Sequence, residues 1–314
     1  MCRPVYTKGV SVTVHKSTVS HYHGIHVGPY FRLLRVKHYI KNSFIFLPLL
    51  FGAQLTSIPA LNRSIAAFFG FSLAASSVYI LNDYIDIDED RHHPEKKSRP
   101  LASGAVRTVY AFILMAVFFC AGSAVMITVS MNACCILWAY VVLNIAYTLF
   151  LKRVAVLDVS CIAAGFVLRI FAGSAVTGIV LSKWIVVLTF LLALFLALAK
   201  RRDDLILSSR TGEKMRKANA GYTLEFVNAT MVIMASVVIV SYILYTTSSE
   251  VIQRLNTPYV YLTALFVILG VMRYMQITFV FKQSGSPTRV LLTDHFLQAV
   301  LIGWILTFIW ILYL

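Results

Sequence analysis

Long runs of apolar side chains constrain the fold of this chain more than any other feature. Nine such runs approach the length that a helix needs to cross a bilayer, and short charged or Gly/Pro-bearing segments separate them. Lipid cannot satisfy open backbone groups, and no run alternates like a barrel strand. The sequence therefore predicts an all-α polytopic membrane protein with nine transmembrane helices, at residues 42–60, 64–82, 108–130, 132–151, 157–176, 182–199, 227–246, 257–275 and 296–314.

The composition agrees with a membrane protein. Of the 314 residues, 59% are hydrophobic and 13% are charged, whereas soluble domains carry about 25% charged residues. A net charge of +15 could indicate nucleic-acid binding. Basic loops that hold the topology and contact anionic membrane lipids explain the charge better, so we expect no nucleic-acid partner. The five cysteines lack metal-ligand spacing and are interpreted as small apolar side chains.

The distribution of basic residues predicts the orientation. Of the 28 lysines and arginines, 24 precede the first run or follow the second, fourth, sixth and eighth runs. Only Arg63, Lys183 and Arg254 lie between runs on the opposite side. By the positive-inside rule, we expect an integral protein of the plasma (inner) membrane with its N-terminus in the cytoplasm and its C-terminus outside.

The N-terminal residues differ from the rest of the chain. Residues 1–30 are rich in His, Ser, Thr and Val and contain no apolar run. We expect them to form a disordered tail, and residues 31–314 to form a single transmembrane domain. The sequence leaves the oligomeric state open and is compatible with a homo-oligomer.

Acidic residues cluster directly after the second apolar run. Six of the 13 fall between Asp83 and Glu95. If the helix continues past Asn82, then Asn82, Asp86 and Asp90 share one face at i, i+4 and i+8, and Asp83 adjoins them. These oxygens suit Mg²⁺, which usually also binds substrate phosphates. The pattern favours a magnesium site at these four residues, and the alternative is a solvated loop that neutralises itself.

Asn82, Asp83, Asp86 and Asp90 form an acidic stripe. Basic and polar residues near this stripe predict a phosphate site, because cations pair directly with phosphate oxygens. A second mixed-charge cluster follows the sixth run. Arg169 stands alone in an apolar run, where a cation is costly and usually functional; the alternative is that it snorkels to an interface. The candidate substrate-binding residues are Lys41, Arg91, Lys96, Arg99, Tyr147, Lys152, Arg169, Lys200, Arg201 and Asp204.

The stretch from Asn82 to Pro100 resembles the first aspartate motif of the UbiA prenyltransferase superfamily. The chain is most similar to one branch, the decaprenyl-phosphate phosphoribosyltransferase-like proteins. Four stretches carry this similarity: residues 32–42, which end in Lys41-Asn42; residues 93–104, which begin His93-Pro94; residues 157–173, with Asp158 and Arg169; and residues 200–205, with Asp204 where the branch has Glu.

The resemblance implies a UbiA-like helical bundle with its active site at the cytoplasmic face. It also implies Mg²⁺-dependent transfer of a 5-phosphoribosyl group from phosphoribosyl diphosphate to a polyprenyl phosphate. The candidate catalytic residues are Asp83, Asp86, Asp90 and Asp158. One alternative is a prenyltransferase that uses a prenyl diphosphate and a small or aromatic acceptor, although no second Asp-x-x-x-Asp motif follows the sixth run. Another alternative is a transporter with a charged cytoplasmic gate.

Overall fold

The computed structural model describes residues 27–92, 96–211, 221–281 and 287–313, and every regular element in them is helical. The α-helices are α1 (Val27–Leu34), α2 (Leu47–Phe51), α3 (Ile58–Ile85), α4 (Ile87–His92), α5 (Thr108–Val129), α6 (Met131–Leu149), α7 (Leu157–Thr177), α8 (Lys183–Thr211), α9 (Leu224–Thr247), α10 (Ser249–Leu255), α11 (Ala264–Gln276), α12 (Pro287–Thr293) and α13 (His295–Tyr313). Most of the predicted tail, His93 and Pro94, and the basic loop at 212–220 lie outside the described residues.

Eight helical segments in the described residues are long and apolar enough to cross a membrane, not the nine predicted. The difference lies at the first predicted span, residues 42–60. It consists of the end of a 3-10 stretch (Val36–Phe46), then α2, then a turn before α3. Pro48 and Pro59 each stand in the first turn of a new helix. Proline lacks a backbone N–H and restricts the residue before it, so one continuous helix cannot form here.

The first segment, residues 35–51, consists of the 3-10 stretch with its capping residue and α2, and it lies antiparallel to α3. The hydroxyls of Tyr39 and Ser76 are 2.9 Å apart, and the amide of Asn42 donates to the hydroxyl of Ser72 over 2.8 Å. Residue numbers rise along the segment as they fall along α3. The contacts therefore bring the polar part of the segment, residues 35–42, to the end of α3 that carries the acidic stripe.

The outer helices present apolar side chains at the surface. On α5, Val109, Ile113 and Val117 are all exposed at a spacing of four residues, and Val109 is 67% exposed. Such a face would be unfavourable in water but suits hydrocarbon. The prediction of an integral membrane protein is confirmed at this level.

Two close helix contacts depend on glycine. A methyl group added at Gly122 on α5 would lie 2.6 Å from the carbonyl oxygen of Gly70 on α3. One added at Gly173 on α7 would lie 2.1 Å from the carbonyl oxygen of Ile45 in the 3-10 stretch. Small residues permit such close approach between membrane helices. Gly173 thereby allows α7 to lie directly against the first segment.

Candidate active site

Polar side chains converge at one end of the bundle. This charged end comprises the end of α3, α4, the end of α6, the start of α7 and the polar part of α8. Two contacts join α6 and the turn after it to α3: the amine of Lys152 pairs with the carboxylate of Asp86, and the hydroxyl of Thr148 donates to Asn82 Oδ1 over 3.3 Å. Residues 66 positions apart in the sequence therefore share one site.

The acidic stripe keeps its predicted spacing but not a continuous helix. Helix α3 ends at Ile85, and Asp86 adopts φ −92° and ψ 6° before α4 begins. The N–H of Asp86 still donates to the carbonyl of Asn82 over 3.0 Å, and the N–H of Asp90 donates to the carbonyl of Asp86 over 2.8 Å. The four-residue repeat therefore continues through the break.

Arginines neutralise the buried part of the stripe. Arg35 forms an ion pair with Asp83. The Nη1 atom of Arg99 lies 2.6 Å from Asp90 Oδ2 and 3.1 Å from Asp83 Oδ1. Both carboxylates are buried, and the two converge on one positively charged nitrogen. The sequence predicted Arg99 as a site residue but not Arg35, whose only signal was its place in the stretch that resembles the family.

This donor set fits Mg²⁺ when substrate phosphates complete the coordination. No three acidic, His or Cys side chains form a ready metal site within the described parts of the chain. The donors are all oxygens, however, and Asp83 and Asp90 already converge on a single cation, Arg99 Nη1. Mg²⁺ is commonly held by one or two carboxylates together with phosphates. The residues therefore suit a metal–phosphate complex better than an all-protein metal site.

A second ion-pair network lies at the start of α7. Asp158 is fully buried and accepts hydrogen bonds from Arg201 Nε and the Tyr222 hydroxyl, each at 2.5 Å. Arg201 Nη1 also donates to Asp204 Oδ2 over 2.9 Å. Asp158 and Arg201 are both buried, and each is the other's ion-pair partner. In this arrangement Asp158 positions Arg201.

Tyr222, which the sequence did not reveal, supports the backbone of this network. Its hydroxyl accepts a hydrogen bond of 2.7 Å from the N–H of Val156. Val156 has φ +70°, a strained conformation for a β-branched residue. Burial and the hydrogen bond to Asp158 raise the pKa of the Tyr222 hydroxyl, so the phenol stays protonated and continues to donate to Asp158.

Arg169 is enclosed inside the bundle and does not snorkel, since it is only 4% exposed. It donates to Asn42 Oδ1 at 2.8 Å, to the Gly165 carbonyl at 2.7 Å and to the Tyr140 hydroxyl at 3.0 Å. Its guanidinium also lies over three aromatic rings, those of Phe71, Tyr140 and Phe166. Neutral acceptors and ring faces stabilise this cation. The structure places it beside the first segment and not on the acidic stripe.

The first segment supplies a positive wall that adjoins the stripe. Burial, together with the charges of Arg169 and Arg35, lowers the pKa of Lys41 to about 8. Burial lowers the pKa of His38 to about 3, and four nearby cations add to the effect: Lys41, Arg35, Lys200 and Arg99. Positive charge is therefore concentrated next to the carboxylates, as a phosphorylated ligand requires.

The remaining predicted residues lie at varied depths around the site. Tyr147 is half-buried, and its electrostatic interaction with Arg201 places it near the second network. Lys96 is half-buried in a short 3-10 turn, and Lys200 is exposed on α8. Arg91 is exposed and pairs with Asp88 at 3.4 Å, so it lies at the outer edge.

Comparison with known proteins identifies relatives along most of the chain. A model of the UbiA prenyltransferase family matches residues 45–277. The decaprenyl-phosphate phosphoribosyltransferase of Corynebacterium glutamicum is 28% identical over 287 residues, which cover 90% of this chain and 86% of that protein. The protein of the same name from Mycolicibacterium smegmatis is 29% identical over 284 residues, covering 87% and 89%.

A solved structure shares the fold. The structure of a UbiA homolog from Archaeoglobus fulgidus bound to GPP and Mg²⁺ has a TM-score of 0.68 to this chain at 18% identity. The match covers 90% of this chain and 99% of that one. The helical bundle is therefore common to both proteins, while the ligands belong to the archaeal protein.

Proposed function

Because the chain belongs to the UbiA prenyltransferase family, we propose that it is a pentosyltransferase that moves 5-phosphoribosyl from phosphoribosyl diphosphate to a polyprenyl phosphate and releases diphosphate. The resemblance to the family is confirmed, and two decaprenyl-phosphate phosphoribosyltransferases match nearly nine-tenths of the chain. One observation carries the proposal: carboxylates and cations converge at one end of the bundle, where Arg99 bridges Asp83 and Asp90.

The acidic stripe and the nearby cations would together bind the phosphate groups of the donor. Asn82, Asp83, Asp86 and Asp90 would hold Mg²⁺, which neutralises charge on the leaving diphosphate when it is bound. Lys41, Lys96, Arg99 and Lys152 would donate hydrogen bonds to phosphate oxygens. Arg201, held by Asp158, would add positive charge from beneath the site.

The transfer exchanges one C–O bond for another at the anomeric carbon. The bond from C1 to the diphosphate oxygen breaks, and an oxygen of the lipid phosphate forms the new bond to C1. Positive charge develops on the sugar ring as the first bond breaks, and carboxylates of the stripe would stabilise it. The lipid phosphate is largely ionised near neutral pH, so the chain needs no general base to activate it.

The proposal also covers the orientation of the chain in the membrane. The distribution of basic residues supports a cytoplasmic charged end, a cytoplasmic N-terminus and an external C-terminus in the plasma membrane. The first predicted span, residues 42–60, would make a ninth crossing beside α3, because its contacts run along that helix from Asn42 with Ser72 to Phe46 with Phe68. Residues 31–314 would form one catalytic domain.

Label transfer tests the proposal and separates it from its main competitor. Purified protein in detergent is incubated with Mg²⁺, a polyprenyl phosphate and phosphoribosyl diphosphate labelled in the ribosyl group. We expect label in the lipid phase, and we expect EDTA to abolish it. Product formed only from a prenyl diphosphate and an aromatic acceptor would instead assign the chain to the prenyltransferases.

A further inference from the structure

His38 has a buried ring nitrogen without a hydrogen-bond partner. Its Nδ1 atom is inaccessible to solvent, and no described residue pairs with it. The ring stands edge-on to Tyr79, with centroids 5.5 Å apart and planes at 87°. An unpaired buried polar atom is costly, so such a site calls for a ligand atom to complete it.

The local helix type puts His38 between two cations. Val36–Phe46 is a 3-10 stretch, and Arg35 is the residue that caps its start. A 3-10 helix has three residues per turn, so side chains at i and i+3 eclipse one another. His38 and Lys41 therefore lie along one face, and Arg35 adjoins His38 because both side chains contact the ring of Tyr79. Arg35 and Arg99 also contact Asp83, which connects this face to the proposed metal site.

The chemistry of the imidazole differs from that of its neighbours. Lysine and arginine offer only donors, whereas a neutral imidazole offers one donor and one acceptor. Burial and the surrounding positive charge lower the pKa of His38 to about 3, so the ring is neutral at physiological pH. Phosphate oxygens suit the cations, but they only accept. A hydroxyl both donates and accepts, so it satisfies Nδ1 in either tautomer of the ring.

We infer that His38 is a specificity-determining residue whose Nδ1 forms a hydrogen bond with a ribosyl hydroxyl of the donor. This inference rests on the proposed function and extends it. A prenyl diphosphate carries no hydroxyl and would leave the nitrogen unpaired. The site therefore favours a phosphorylated sugar over a prenyl diphosphate, although both bring the same diphosphate group to the acidic stripe.

Binding of donor fragments to the whole protein tests the inference. The dissociation constants of ribose 5-phosphate and inorganic diphosphate are measured with Mg²⁺ for wild type, His38→Phe and His38→Gln. We expect His38→Phe to weaken ribose 5-phosphate about tenfold or more and diphosphate less than about threefold, because one hydrogen bond to a buried partner is lost. Glutamine retains a donor and an acceptor and should recover much of the affinity. The matched control is His295→Phe, since His295 is exposed at the start of α13.

A second measurement needs only the wild-type protein. Ribose 5-phosphate is compared with its 2-deoxy and 3-deoxy analogues, and at least one analogue should bind about tenfold more weakly. Equal binding of all three sugars would overturn the inference, as would an equal loss of sugar and diphosphate binding in His38→Phe. The first measurement reports on His38 and the second on a contact to a sugar hydroxyl, and neither depends on label transfer. A failed transfer with intact discrimination would overturn the proposed reaction and leave the sugar contact standing.

Discussion

The Nη1 atom of Arg99 lies 2.6 Å from Asp90 Oδ2, so a cation covers the last carboxylate of the acidic stripe. The same nitrogen lies 3.1 Å from Asp83 Oδ1. Two buried carboxylates that are seven residues apart, or about two helical turns, are thus held together by one positive centre. A metal–diphosphate complex would bring an alternative positive centre to the same oxygens, and Arg99 could then turn to the phosphates.

The substitution Asp86→Asn tests the stripe. Asp86 pairs with Lys152 and accepts a hydrogen bond from Asn82 at 3.1 Å. We expect Mg²⁺-dependent turnover to fall by about 10²-fold or more, because a charge that stabilises the transition state is lost. Asp88→Asn is the matched control, since the Asp88 side chain is 92% exposed. Similar rates for the two variants would exclude a specific role for Asp86.

The lowered pKa of Lys41 predicts that donor binding depends on pH. Its lowered pKa of about 8 means that the free amine loses its proton as the pH rises through that value. Attraction for phosphate should therefore be full well below pH 8, half lost near that pH and small well above it. The decline should appear in kcat/KM for the donor, which reports on the free enzyme, and less in kcat. Lys41→Arg should remove the decline, because arginine stays protonated. If Lys41→Arg showed the same alkaline decline, the decline would belong to another titrating group.

Asp158→Asn separates a positioning role from direct catalysis. The change leaves Arg201 buried without its main counter-charge, which we expect to lower the free energy of unfolding by about 3 kcal/mol. Tyr222→Phe should destabilise less, and the two changes should be strongly non-additive because both act on Asp158. Stability is measured by unfolding in detergent, alongside turnover. Lost turnover at wild-type stability would indicate that Asp158 acts on the substrate directly.

Gly173→Ala tests the contact that holds the first segment. The added methyl would meet the Ile45 carbonyl oxygen at 2.1 Å, and a backbone atom cannot move aside cheaply. We expect lower thermal stability and weaker donor binding, because the displaced segment carries Lys41. The control is Gly28→Ala on α1, where a methyl meets nothing within 4 Å. Equal melting temperatures for the two variants would contradict this packing.

Much of the architecture could be predicted because lipid imposes simple rules. Apolar run length located the eight helical spans, and the four-residue repeat aligned Asn82, Asp86 and Asp90 correctly. The ninth span is not confirmed, since the first segment is apolar in composition but Pro48 and Pro59 interrupt its backbone. Run length reports on composition, whereas helix continuity depends on these individual residues.

The sequence predicted many residues of the site from their types, but it did not predict which of them form ion pairs with one another. Ion pairs join residues far apart in the chain, such as Lys152 with Asp86 and Arg201 with Asp158. No local pattern encodes these partners. Arg35 and Tyr222 were missed for this reason, because each gains its role only from a distant carboxylate.

The most direct test of the account is mass spectrometry of the lipid product. Protein, Mg²⁺, unlabelled phosphoribosyl diphosphate and a polyprenyl phosphate of defined length are incubated, and released diphosphate is counted against lipid consumed. We predict a lipid whose mass has increased by one phosphoribosyl unit, formed in equal amount to diphosphate and absent with Asp86→Asn. Unchanged lipid in the presence of folded protein, or diphosphate released without a new lipid, would contradict the phosphoribosyl transfer.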